Sequence, residues 1–580
     1  MKKLLTLVIA LMLGFMLAGH AAAVQTVEGE ITTNITWSQD VLLSGPVFVR
    51  APATLTINAG VTVFGEKATL GTLIIDRGAK LIAVGTEDKP VIYTSDQPVN
   101  SRARADNGGL IINGYSTLNV QGGTKEGEGD TGTFGCSGAE CNENDNSGTL
   151  RYFRVEYGGI QFSPDNELNG IALQGVGRGT TVDHVQIAYS KDDCIEFFGG
   201  TVNVKNIILT ACGDDSLDWT DGWRGNGQFI VMQQLGDEAD NGIEADNLDK
   251  ANDSLPRSNP TLYNMTMIGD PDFGDGSTNG MLLRRGTAGN IRNSIVMGFK
   301  KSGVNIDSLA TFTQAKEGKL IVDNNIFWNN QPNFNTDATD PDAASLPFTT
   351  EQFMKNTMQN NKEVDPKLGN SYDVLVPDFR PAAGSPAIDG TVPVAAPPAG
   401  NGFIVATNYI GAVDPANDWT RKAWTTYGPR AVPTTTTTVP ANTTTTIIPT
   451  TTTTTPAGPC PATQVLGAES RQLDTLREFR DNVMGQSLKG RLYTRLYYYC
   501  AGEVSSIIAA DDSLTAESAA VLDTLLPAVE AATSSGAITL SDEQKAQILP
   551  VLDRISSKAS FGLRLIIRKV QRDLRTGDLL

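Results

Sequence analysis

Asp193-Cys-Ile-Glu-Phe197 and Asp215-Ser-Leu-Asp-Trp219 are the two stretches that decide the fold. They are copies of one phrase: a polar turn former, a small residue, then a strand of two-residue period. The same phrase precedes them as Asn169-Gly-Ile-Ala-Leu173. It follows them as Asn241-Gly-Ile-Glu-Ala245, Asn279-Gly-Met-Leu-Leu283 and Ser302-Gly-Val-Asn-Ile306. Successive steps are 24, 22, 26, 38 and 23 residues. A period in the low twenties is the length of one rung of a coiled β-solenoid, in which each rung stacks on the last. An ordinary sandwich has regular turns but does not repeat a phrase in register.

A second track keeps the same beat. Val182-Asp-His184-Val, Val204-Lys-Asn206-Ile, Leu262-Tyr-Asn264-Met, Ile291-Arg-Asn293-Ser and Val322-Asp-Asn324-Asn carry Asn at one place in four of five copies. Stacked rungs would align these into a column of amides passing hydrogen bonds along the solenoid. Nearer the N-terminus, Leu55-Thr-Ile57 with Gly60, Val63 and Gly65 returns as Leu73-Ile-Ile75 with Gly78 and Leu81, a step of 18. Gly60 and Gly78 are expected at sharp corners, where positive φ is needed.

The expected fold is therefore an all-β right-handed parallel β-helix followed by a small all-α domain. At 580 residues more than one domain is expected. Residues 1–23 read as a signal peptide: Lys2 and Lys3, an apolar run from Leu4 to Leu17, then Ala21-Ala-Ala23. His20 stands where a lipoprotein signal would carry its Cys, so soluble export is expected, to the extracellular space or outer cell surface, with the periplasm as the alternative. Residues 24–430 are strand- and turn-rich, with 337–369 expected to cover the end of the solenoid and 408–424 to close it. Residues 431–459 are a Thr/Pro-rich linker that cannot bury a core. Residues 460–580 are helical, with Ser541 and Gln544 as a capping box. Arg564, Arg568, Lys569, Arg572 and Arg575 crowd the last helix and read as a solvated basic face. No later segment is long and apolar enough to span a membrane.

The net charge of -19 falls almost wholly before Cys460, since the remainder holds 14 Lys+Arg against 15 Asp+Glu. Such an acidic surface excludes nucleic acid as a partner and suits cations. Six cysteines in an exported chain point to disulfides. Cys136 with Cys141 and Cys460 with Cys500 are the expected pairs. Cys194 and Cys212 fit either a pair around a corner or two buried thiols.

Residues 30–425 resemble the secreted bacterial right-handed parallel β-helix proteins that include pectate lyases and polygalacturonases. The likeness is carried by the Gly-punctuated N-terminal rungs, Asp192-Asp-Cys-Ile-Glu196, Tyr409-Ile-Gly-Ala and Asp418-Trp. It implies a polysaccharide or extracellular matrix polymer as partner. The polygalacturonase motifs are matched only at Asp192-Asp193. Asn169 stands where the first motif has Asp, Gly213-Asp-Asp215 stands where Gly-His-Gly belongs, and no Arg-Ile-Lys follows. Residues 460–508 resemble the CFI-box C-terminal domain of exported bacterial proteins, through Cys460, Leu476-Arg-Glu-Phe-Arg480-Asp, Gly490-Arg-Leu and Tyr497-Tyr. That resemblance implies sorting or surface-attachment machinery as a partner.

The chemistry sits where the phrase turns acidic. Stacking puts Asp193 under Asp215 and Glu196 under Asp218, with strands about 4.8 Å apart. Carboxylates that close need a bound cation, raised pKa values or full solvation. Asp193, Glu196, Asp215, Asp218 and Glu244 are the candidate Ca²⁺ ligands, because Ca²⁺ takes six to eight oxygens. Asp192, Asp193, Asp214 and Asp215, with Arg224, are the candidate catalytic set, as paired carboxylates can run acid/base hydrolysis. Trp219 and Trp223 are candidate sugar platforms, and Arg284-Arg285 reads as two exposed arginines. Three functions compete: a non-catalytic polymer-binding protein, a polysaccharide lyase or hydrolase, and a unit of an extracellular layer.

Overall fold

The computed structural model describes residues 24–163, 166–272, 274–336, 343–428, 475–476, 479, 503–535, 540–559 and 561–576. The signal-peptide segment 1–23, the linker 431–459 and the Cys460–Cys500 pair lie outside the described residues, as does most of the CFI-box-like stretch.

Twenty-six strands form one continuous parallel sheet wound into a β-helix. The acidic phrase keeps the register its spacing implies: Ile171, Ile195, Leu217, Ile243 and Met281 pair in succession, and Met281 pairs with Val304. All six point inward and are buried. The alternate residues of these strands face outward, as the two-residue period of a strand requires. The 38-residue step is one rung enlarged by an excursion between Ala245 and Thr261.

The second track is also in register, and it includes a rung whose Phe229 hides it from a search for Asn. The aligned residues do not form an amide ladder. Tyr152, His184, Asn206, Phe229, Asn264, Asn293 and Asn324 all have φ between 47° and 60°. Each rung bends there through one left-handed residue, and Asn is favoured because its short polar side chain tolerates that conformation. The freed amides of Asn264, Asn293 and Asn324 donate to the backbone of Tyr409, Ala395 and Pro393 in the segment that returns along the flank. His184 sits in this column against Tyr152 and Trp424, a structural position.

The N-terminal step of 18 is corrected too. Leu55 pairs with Leu81, 26 residues on, and Leu73 pairs with Val47. The two similar stretches are consecutive sides of the coil rather than successive rungs. Gly60 and Gly78 do occupy corners, at φ 87° and 81°.

The far end is covered by helix α1 (Leu309–Lys316) and by the turns after Thr349, which place Phe312, Phe348 and Phe353 in contact over the last rung. Residues 408–424, expected to close the domain, lie away from that end. Ile410, Ala412, Trp419 and Trp424 pack instead on the flank against Ile208, Val231, Ile268 and Ile295. Among the described residues, the C-terminal part includes α2 (Asp512–Ser535), α3 (Asp542–Lys558) and α4 (Phe561–Thr576). Ser541 and Gln544 form the expected capping box. No described helix is long and apolar enough to cross a membrane.

Cys136 and Cys141 are bonded, as expected, and so are Cys194 and Cys212. The second bond closes a loop between residues 18 apart on neighbouring rungs. Cross-linking a loop of that size restricts the unfolded chain by about 3 kcal/mol. The double variant C194A/C212A should therefore lower the urea midpoint and, by loosening the unfolded chain, leave the slope equal or steeper; an unchanged midpoint and slope would show that the bond contributes nothing.

Candidate functional site

The outward positions of the acidic phrase build one column. Glu196 pairs with Asp218, and Asp218 with Glu244. Ala172 bounds the column on one side and Leu282 on the other, so the acidic ladder spans three rungs. A second line runs along the preceding turns. The Asp193 carboxylate accepts from the backbone N–H of Asp215 at 2.9 Å, and the Asp215 carboxylate accepts from the N–H of Asn241. Each acid thus caps the next rung's backbone, which is why a short acid recurs at a turn.

The two lines merge into four linked triads: Asp192/Asp193/Asp214, Asp193/Glu196/Asp218, Asp214/Asp215/Asp240 and Asp215/Asp218/Glu244. Within each triad the ligand oxygens lie within 4.8 Å of one another. Full solvation does not explain them, because Asp193, Glu196 and Asp215 are only 6%, 9% and 4% exposed. Burial, then neighbouring carboxylates, holds Asp193, Glu196, Asp215 and Asp218 well above the usual carboxylate range. Burial and Asp214 push Asp192 up to about 8. Asp214, on the exposed rim, is pushed up by burial and Asp240 to about 6. Burial raises Glu244 to about 7 although Arg284 opposes it.

Among the described residues, the cations paired with this acidic strip stand at its margins. Arg284 is clamped between Glu244 and Asp246, and Arg285 reaches Asp246 at 2.6 Å and Asp249 at 3.2 Å. This corrects their reading as two exposed arginines. A hairpin formed by Thr124–Glu126 and Thr133–Gly135 brings Lys125 to 3.1 Å from Asp221, over the ring of Phe198. The same hairpin carries Glu128, which burial raises to about 7. Lys125, Glu128 and Asp240 escape a sequence reading because nothing in the repeat signals them. They arrive from a hairpin some 70 residues upstream and from the turn preceding Asn241. Asn169 holds the position of a missing acid: its amide donates to Glu196 at 2.6 Å.

Three candidates fall elsewhere. Trp219 and Trp223 are 0% exposed, so neither is a sugar platform. Strand alternation forces this, since an outward Asp218 turns Trp219 inward. Arg224 does not join the aspartates. It is held by Glu143 and Thr117 at the corner after Thr220.

A family model for a pectate-lyase-like β-helix domain matches residues 29–373. No curated protein and no solved structure gives a match.

Proposed function

Because the chain belongs to the family of pectate-lyase-like β-helix domains, we propose that it is an exported polysaccharide-binding protein whose carboxylate ladder holds Ca²⁺ and which does not cleave its polymer. The observation that carries this reading is the set of four linked triads, which crowd acidic oxygens into a buried strip whose paired cations, among the described residues, stand at its margins. Two further oxygens there lack any hydrogen-bond partner: Oδ1 of Asn169, which is 1% exposed, and Oδ1 of Asp218. A buried carbonyl oxygen beside carboxylates suits a hard cation that takes oxygen ligands. The ligands would be Asp193, Glu196, Asp215, Asp218 and Glu244, with Asp192, Asp214 and Asp240 on the rim. The ion would offset part of the strip's negative charge and, by keeping open coordination positions, would accept oxygens of a polyhydroxylated or anionic polymer.

Enzymatic cleavage is the second reading. It is favoured by Asp192, Glu244 and Asp214, at about 8, 7 and 6, which straddle neutrality as a general acid or base should. Arg224, Trp219 and Trp223 drop out of that reading. An extracellular layer built end to end is not adopted: the first rung shows Glu28 and Glu30 on its edge strand with a bend at Gly29, devices that discourage edge pairing. The C-terminal part serves sorting or surface attachment in this reading.

The test is retention on immobilised acidic and neutral polysaccharides, with polymer length followed in parallel. Retention in Ca²⁺, release by chelator and unchanged polymer length are expected. The variant E196Q/D218N should bind at least ten-fold more weakly. Shortened polymer would overturn the non-catalytic reading, and binding indifferent to chelator would remove the ion.

A further inference from the structure

Helix α4 carries its arginines in a way a solvated face does not explain. Arg564 and Arg575 are exposed, but Arg568 is only 8% exposed and Arg572 is half-buried. The helix turns its apolar stripe, Leu563 and Ile567, into the packing with Val551, Ile555 and Ala559 of the α3 region. Gln571 continues that side by donating to Asp553 at 2.7 Å. Arg568 and Arg572 stand next to the stripe, four residues and one turn apart, so they project side by side. Their partners belong to the solenoid. Arg568 lies 3.4 Å from Asp237, and Arg572 lies 3.6 Å from Asp270 with its guanidinium over the ring of Tyr372.

The two carboxylates stand on neighbouring rungs at non-equivalent positions, Asp237 four residues past Gln233 and Asp270 two residues past its partner Ile268. Asp237 follows the strand Asn226–Gln233 and Asp270 follows Thr261–Ile268, and these strands are paired neighbours. One helical turn, about 5.4 Å, is close to one rung spacing of about 4.8 Å. Both acids are anchored before the helix arrives. Arg104, itself buried, holds Asp237 at 3.2 Å, and Asp270 accepts from the backbone N–H of Gly236. Burial alone would raise the Asp237 carboxyl, yet Arg104 and Arg568 together bring it below its ordinary value.

We propose that this acidic flank, formed by Asp237, Asp270 and Tyr372, is a docking surface whose occupant is the chain's own C-terminal helix, held by an arginine pair that reaches two neighbouring rungs. The contact is electrostatic at its centre, so it is releasable. The helical part is near neutral overall, with its basic charge concentrated on this helix, while the solenoid is strongly acidic. Charge complementarity, not apolar area, selects the partner.

Hydrogen exchange on the full chain tests this without reference to Ca²⁺ or polymer. Segments 234–240 and 268–275 should exchange at least ten-fold faster in R568E/R572E than in the parent protein, while R568K/R572K stays close to the parent. Unchanged exchange in the charge-reversed variant, with helix content intact by circular dichroism, would overturn the clasp. Should that variant lose helix, the parent protein and the single variant R572E decide. Raising NaCl from 0.05 to 1 M shortens the screening length from about 14 Å to about 3 Å and should expose the same segments. No change there, with exchange of 268–275 in R572E unchanged as well, would overturn it, since the buried Arg568 pair is screened less than the half-buried Arg572 pair. Protection that rises with protein concentration would assign the contact to the helix of a second copy, against the intrachain clasp.

Discussion

Raising the pH from 5 to 8 in the presence of a chelator should lower the melting temperature of the solenoid, and Ca²⁺ should restore it. The sign follows from the ladder. Its carboxyls have folded-state pKa values above their ordinary ones, so the folded protein keeps protons that the unfolded chain has released. Stability from such groups is present at low pH and declines as pH passes up through the folded values. The window opens in the ordinary carboxylate range near 4 and extends through about 8, the value to which Asp192 is raised. Glu244, raised from 4.5 to about 7, alone accounts for about 3 kcal/mol across its part of the window at 1.4 kcal/mol per unit. That corresponds to a fall of about 4 °C for a solenoid of about 400 residues, whose unfolding entropy is about 0.8 kcal/mol per degree. Under the proposed Ca²⁺ binding the sign should reverse, because the ion needs the ionised ladder. At one hundred times its dissociation constant it adds about 2.7 kcal/mol, and the gain should shrink toward pH 5 as protons compete. Differential scanning calorimetry across pH, with and without Ca²⁺, reads both effects. A flat profile in chelator would show that the ladder is not buried and ionisable as described.

The second large effect lies directly beneath the ladder. Trp223→Ala should destabilise the solenoid by about 3–5 kcal/mol, the range for deleting a buried large aromatic. Trp223 is 0% exposed, stacks on Phe197 at 3.9 Å between centroids, touches Trp219 at 5.8 Å and donates to the carbonyl of Val202. Its removal leaves a void between rungs and an unpaired carbonyl. The measurement is the urea midpoint at constant slope, alongside polysaccharide binding by the folded fraction. A stable variant that binds poorly would return Trp223 to the surface as a sugar platform. A destabilised variant that binds normally when folded is the expected result. Asp218→Asn, the outward neighbour of Trp219, should do the reverse: little loss of stability, or a gain in chelator, with weaker Ca²⁺ binding.

Much of this architecture was legible because a solenoid writes its geometry into its spacing. The phrase at Asn169, Asp193, Asp215, Asn241, Asn279 and Ser302 aligned without adjustment, and with it the pairing of Glu196 with Asp218. Reading Trp219 and Trp223 as platforms overlooked strand alternation, since Trp219 cannot face outward beside Asp218. The 18-residue step misled because two sides of one coil share the same strand-and-glycine pattern. The Asn column was found at the right position for the wrong reason: the constraint is a left-handed backbone, which Phe229 and His184 meet without an amide.

The amino-acid sequence by itself determined the coil, the register of its rungs and the three-rung acidic ladder, because each depends on residues one period apart. Only the tertiary structure decided that the ladder is buried rather than solvated, that Arg284 and Lys125 attend it while Arg224 does not, and that Arg568 meets Asp237. Arg284 reaches the ladder from the adjacent rung across an enlarged loop, while Lys125 and Arg568 arrive from a hairpin and the C-terminal helix that fold back over the solenoid, and no local spacing encodes either.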